Sequence, residues 1–187
     1  MVRADARENR ARILEVARTA LVADGDMSMN QIAQRAGVGA GTLYRHFPTR
    51  EALVLAVYQD EVDRLTGSVA GLLAKVSPLE ALRRWTLELV EGMRRKHGLG
   101  DALSSGAHQA IAERTYGPVV AAIATLLDAG KLDGTIRPDA DPGDFLQFTA
   151  ALWRAPSTPD DRAPRMLELL LDGLRVHSPP SSQAVPR

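Results

Sequence analysis

Residues 37–50, GVGAGTLYRHFPTR, hold three glycines within five positions and then run directly into Thr42, Leu43, Tyr44, Arg45, His46 and Phe47. Glycine resists helix formation, yet the residues after it carry the apolar spacing and polar heads of an ordered surface element. Upstream, Ser28 stands at an N-cap position with Gln31 three residues later, the capping-box pattern. Ile32, Ala33 and Ala36 supply the buried side of a short helix that Gly37 closes. The stretch itself predicts a second short helix over residues 40–46, followed by Pro48-Thr49, with Thr49 capping a further helix. Two short helices, at 28–36 and 40–46, joined by a glycine turn and backed by a longer first helix, have the size and order of a helix-turn-helix. Within it Ile32, Ala33, Ala36, Val38, Leu43 and Phe47 form the small core. Ser28, Asn30, Ala40, Gly41, Thr42, Tyr44, Arg45 and His46 are left on the outer edge.

Outward from this centre the chain reads as all-α. Ala and Leu dominate at helical spacings, aromatic content is 4%, and no stretch alternates apolar and polar residues. A first helix is predicted from about Ala4 to Ala23, with Ile13, Leu14, Ala17, Ala20 and Leu21 on one face and Arg10, Arg12 and Arg18 elsewhere; Asp24-Gly25-Asp26 ends it. A long helix is predicted from Thr49 to about Ala74, and another over residues 79–96 with Leu82, Trp85, Leu89 and Met93 in register. Residues 101–112 and 117–129 read as two helices, the second opening with Pro118 and ending at Gly130. Asp141 caps a helix running to about Arg154, the segment APSTPDD breaks the chain, and a leucine-rich helix spans about 162–176. The tail, residues 178–187, has the composition of disorder.

Charge is distributed by segment. The formal net charge is zero, which by itself argues against a polyanion partner. However, residues 1–50 hold eight Arg against five acids, and residues 51–187 hold fifteen basic against eighteen acidic residues. A basic reader joined to an acidic body has this pattern. The domains expected are a basic helix-turn-helix segment over residues 1–50 and an acidic helical body over residues 51–177. Cysteine is absent, which excludes disulfides, thiolate zinc sites and a cysteine nucleophile. Apolar runs are far short of a membrane span and residues 1–12 are charged, so a cytoplasmic protein without a membrane partner is expected.

The chain resembles the TetR family of transcriptional regulators. The matching residues are Ile32-Ala33, Ala36-Gly37-Val38, Gly41-Thr42-Leu43-Tyr44, His46-Phe47 and Arg50-Glu51-Ala52-Leu53, and the match is specific over residues 10–58. Beyond them only architecture matches, including the loop from Gly134 to Asp144 before the penultimate helix. The resemblance implies an all-α homodimer with an N-terminal DNA-binding domain and a C-terminal regulatory domain. It implies that Tyr44 and His46 bond phosphates, that Thr42 meets phosphate or a thymine methyl, and that Arg50 clamps the backbone. Ser28 and Asn30 resemble positions touching phosphate or an outer base. Small residues at Gly39, Ala40 and Gly41 let the helix backbone come close to phosphate oxygens. Arg45 is the main candidate base reader, because a guanidinium can take guanine O6 and N7 together, worth roughly 1–3 kcal/mol of discrimination. Arg3, Arg7 and Arg10 could reach DNA from an N-terminal arm. Ala40 and Gly41 replace larger side chains that some relatives use, which shifts weight to DNA shape.

The last two helices offer a broad apolar face from which two copies could build a four-helix bundle. The resemblance also implies a small-molecule effector pocket among the middle helices, with Trp85, Leu89, Met93, His97, His108, Tyr116 and Trp153 as candidate lining, and release of DNA by the effector. No cofactor or metal is expected. A calcium loop starting at Asp139 would place Ala150 where a bidentate Glu is required, and no HExxH, phosphate-loop or nucleophile-elbow pattern occurs. The reading is a homodimeric repressor on a pseudo-palindromic operator and not an enzyme. A helical small-molecule binder without DNA specificity and an architectural DNA binder without effector are the rivals.

Overall fold

The computed structural model describes residues 2–23, 27–98, 105–154 and 162–176, which form nine α-helices. They are α1 (Val2–Ala23), α2 (Met29–Arg35), α3 (Ala40–His46), α4 (Arg50–Gly67), α5 (Val69–Leu73), α6 (Pro78–Gly98), α7 (Ser105–Leu132), α8 (Pro142–Arg154) and α9 (Ala163–Leu174). Among the described residues there is no strand, only an isolated antiparallel bridge between Ile136 and Arg175. The all-α expectation holds.

The chain divides into two compact units. The first comprises Met1–Ser68 and Glu91–Val119, the second Val69–Val90 and Val120–Arg187. In the first, α1 packs on α2, α3 and α4, and α2 packs on α3. Its core gathers Ile13, Leu14, Ala17 and Ala20 of α1, Ile32 and Ala33 of α2, Leu43 of α3, Phe47, and Leu53, Val54, Val57 and Tyr58 of α4. Ile111 of α7 completes it. A polar cluster flanks this core. Arg18 bonds Asp60 at 2.7 Å and Glu15 at 2.5 Å, and Glu61 lies 3.9 Å from Arg18 and 3.7 Å from Arg95. Arg18, expected off the apolar face of α1, is thus tied to α4 by charge pairing.

In the second unit α8 packs on α9, and Arg83 of α6 donates to Glu168 of α9. The buried residues include Leu82, Trp85, Ile123, Leu126, Leu127, Phe145, Leu152, Leu167 and Leu171. Asp141 Oδ1 accepts from the Gly143 and Asp144 amides at 2.8 and 2.9 Å, which caps α8 with Pro142 in its first turn, as the sequence implied.

Three expected helices differ. The helix expected from Thr49 to Ala74 breaks at Ser68, whose hydroxyl donates to the Leu65 carbonyl at 2.8 Å and stands in for the next turn's amide; Gly67 weakens the helix there. The two helices expected around residues 112–117 are one, α7, with Pro118 inside it. Gly117 before the proline has no Cβ to collide with the ring, and apolar spacing continues through Val119, Ala122, Ile123, Leu126 and Leu127. Asp24-Gly25-Asp26, residues 101–104, the APSTPDD break and the tail at 178–187 lie outside the described residues.

Candidate nucleic-acid interface

The helix-turn-helix is built by local chemistry. The Ser28 hydroxyl accepts from the Gln31 amide at 3.3 Å, and the Gln31 side chain accepts from the Ser28 amide at 2.9 Å. This reciprocal box fixes where α2 starts. At its other end the Val38 amide reaches the Ala33 carbonyl at 3.0 Å and the Gly37 amide reaches Gln34 at 3.1 Å. Closing the helix this way requires a left-handed residue, and Gly37 supplies it with φ +65°. The Gly39 carbonyl then accepts from the Thr42 and Leu43 amides at 2.9 and 3.1 Å, which begins α3.

The seven residues of α3 are divided by burial. Leu43 and the following Phe47 are fully inside, with Ile32, Ala33 and Ala36 beneath them. Tyr44 is 44% exposed, Arg45, Ala40, Gly41 and Gly39 are exposed, and Thr42 and His46 are half-buried. At the start of α2 Ser28 is exposed between the buried side chains of Met27 and Met29, and Asn30 is exposed after Met29. The expected contact residues on α2 and α3 are therefore exposed or half-buried. An added Cβ at Gly39 or Gly41 would meet nothing within 4 Å, so the start of α3 has no side-chain wall.

Arg3, Arg7 and Arg10, expected to reach DNA from an arm, all belong to α1, which starts at Val2, ahead of the expected start at Ala4. Alanines and long-chain charged residues favour that helix. The Arg10 guanidinium lies over the Phe47 ring, 5.6 Å from its centroid, a cation–π placement at the end of α3. Arg50, expected to grip the DNA backbone, is half-buried and donates from Nη1 to the Met27 carbonyl. Sequence reading also missed the Arg18–Asp60 tether. Its partners stand forty-two residues apart, and no local pattern marks such a pairing.

The candidate effector residues fall in both units. Trp85 and Leu89 of the second are buried and Trp153 is half-buried, whereas Met93 of the first is half-buried and Tyr116 is 54% exposed. His97 and His108 lie in helices, but their side chains are outside the described set. A groove of about 380 Å³ in the second unit is lined by Arg137, Phe145, Phe148, Leu169, Leu170 and neighbouring residues; it includes none of the seven.

Comparison with known proteins decides the family. A model of the C-terminal domain of SbtR-like transcriptional regulators matches residues 77–176, more than half of the chain, and one of bacterial regulatory proteins of the tetR family matches residues 13–57. The chain belongs to the TetR family. Members of this family are DNA-binding transcription factors and not enzymes. A TetR transcriptional regulator from Streptomyces coelicolor is 40% identical over 90% of this chain and 99% of that one, with a TM-score of 0.77. The TetR-family repressor FadR of Thermus thermophilus, solved in complex with lauroyl-CoA, is 26% identical over 94% and 100% of the two chains, with a TM-score of 0.58. A helix-turn-helix-type transcriptional regulator of Staphylococcus aureus is 45% identical over 64 residues, 33% of this chain and 35% of that relative. The chain thus spans about a third of the curated relative it matches. The tetR model covers the whole helix-turn-helix, α2 and α3. No helix among the described residues is long and apolar enough to cross a membrane.

Proposed function

We propose that this TetR-family chain is a homodimeric repressor that binds a pseudo-palindromic operator through residues 28–50 and leaves it when a small molecule binds the regulatory body over residues 51–177. The observation that carries the reading is the two-sided α3, anchored inward by Leu43 and Phe47 while Tyr44 and Arg45 project outward. Arg45 reads a base in the major groove. Tyr44 and His46 hold phosphates, Thr42 meets phosphate or a thymine methyl, Ser28 and Asn30 touch phosphate or an outer base, and Gly39, Ala40 and Gly41 let the backbone come close.

Dimerisation is proposed through α8 and α9. Phe148 and Leu169 stand on these packed helices and are 66% and 74% exposed, large apolar groups of the kind a self-complementary face presents. A two-fold pair would set its recognition helices about one DNA turn apart, ~34–36 Å. The acyl-CoA held by the Thermus relative supports an effector with an apolar portion, for which Trp85, Leu89 and Trp153 of the second unit are the proposed contacts.

Selection of bound duplexes from a random pool tests the function. The expected product is a two-fold symmetric sequence whose affinity falls about 10³–10⁵-fold between ~50 and ~200 mM salt if six to ten phosphates are neutralised. Enrichment of no sequence would overturn the reading. Screening acyl-CoAs for release of the selected duplex tests the effector; binding without any change in DNA affinity would overturn release.

A further inference from the structure

We propose that Arg50 is a positioning residue, setting the backbone from which Ser28 and Asn30 are presented and acting on DNA affinity through them, not by gripping a phosphate. The inference rests on the operator-binding function. Arg50 is the first residue of α4, directly after Thr49, whose hydroxyl accepts from the Ala52 amide at 3.0 Å. Its backbone is therefore held at a capped helix start. From there the guanidinium reaches back twenty-three residues to the Met27 carbonyl.

That carbonyl belongs to the peptide joining Met27 to Ser28. The amide of the same peptide donates to Gln31 Oε1 at 2.9 Å. A peptide is planar, so a bond to its oxygen and a bond to its N–H together fix the orientation of the whole unit. Met27 and Met29 are buried on either side of Ser28, and Ser28 and Asn30 are exposed. Arg50 thus holds one side of the peptide plane that aims both contact residues, and its charge strengthens the bond. An arginine engaged in this way, half-buried, makes its contribution inside the protein.

The test is a double-mutant cycle on the duplex recovered by selection with the wild-type protein. Arg50→Met is expected to weaken that duplex about tenfold, the worth of one or two mispositioned hydrogen bonds. In a Ser28→Ala, Asn30→Ala background the same change should cost less than about twofold, because the residues it positions are gone. The slope of log affinity against log salt should match wild type, because Ser28 and Asn30 carry no charge, whereas losing a phosphate neutralised by the Arg50 guanidinium itself would lower it by about 0.9. Arg50→Lys keeps the charge on a shorter stem without the guanidinium fork, and is expected to fail as Arg50→Met does. Thermal melts of all variants guard against misfolding, and the lysine variant carries the cycle if the methionine variant melts early. Additive losses with a reduced salt slope, or rescue by lysine, would overturn the inference while leaving operator binding intact. Failure of the wild type to select any sequence would overturn both.

Discussion

Arg45 and Tyr44 are neighbours with different expected duties, and substitution separates them. Arg45→Ala should relax preference at one base pair in each half-site, by roughly 1–3 kcal/mol, whereas Tyr44→Phe should weaken all duplexes by a similar factor. Equal operator selectivity in the two variants, measured by competition binding, would refute the division. Tyr58 makes a second residue-scale prediction. It is buried in the first unit, and its hydroxyl has no hydrogen-bond partner among the described residues. Burial first, and the Glu61 charge second, hold its ionisation above the ordinary tyrosine range, with Arg95 opposing. The folded chain thus keeps this proton where the unfolded chain loses it. Stability is intact below about pH 10 and declines as pH rises beyond it. Tyr58→Phe should flatten that decline relative to wild type and add roughly 1 kcal/mol near neutrality, since an orphaned hydroxyl is costly to bury. Urea midpoints at about pH 7 and about pH 10.5 check both parts. A variant less stable than wild type near pH 7 would show that the hydroxyl has a partner.

Among the elements, the two short helices and the start of α4 were legible because their boundaries are written in one or two residues: Ser28 with Gln31, Gly37, and Thr49. Gly37→Ala should cost about 1 kcal/mol, all of it backbone strain, because the position has φ +65° and an added Cβ meets no atom within 4 Å. Gly130 has the opposite cause. Its carbonyl accepts the Thr135 and Ile136 amides, both at 2.9 Å, so the loop folds back on the end of α7 and an added Cβ would stand 2.4 Å from Ile136 Cδ1. Gly130→Ala should cost about 1–3 kcal/mol, and less when Ile136 is also Ala. Equal costs in both backgrounds, by denaturant unfolding, would refute the steric account. The same loop explains a shortfall in reading the last helix. Arg137 and Val176 donate across to Leu174 and Thr135, so α9 stops at Leu174 and the chain turns into a bridge. Pairings of this kind, like Arg18 with Asp60 or Arg50 with Met27, join residues far apart in the chain. Apolar periodicity sees faces and ends; it does not see which distant carbonyl a guanidinium will find. Pro118 misled for a related reason, since its power to end a helix depends on the neighbouring glycine and on packing.

For the whole molecule the proposed dimer makes the clearest demand. Leu169→Glu places a charge on the exposed side of α9 and should give monomers by light scattering, with operator affinity lost together with the second half-site. A persistent dimer would move the interface elsewhere. Leu167→Glu would be uninformative, because Leu167 is fully buried and its loss threatens folding. Membership of the family and the outer edge of α3 were readable from about fifty residues, whereas the effector contacts were not, because aromatic residues at helical spacing look the same in a core and in a pocket. The empty edge at Gly39, Ala40 and Gly41 carries one more consequence. A Cβ added at either glycine would meet no protein atom within 4 Å, so on the proposed operator its new neighbours would belong to the DNA. The three positions form a natural cassette for reprogramming: randomising them should yield proteins that fold as the parent does yet prefer different operators.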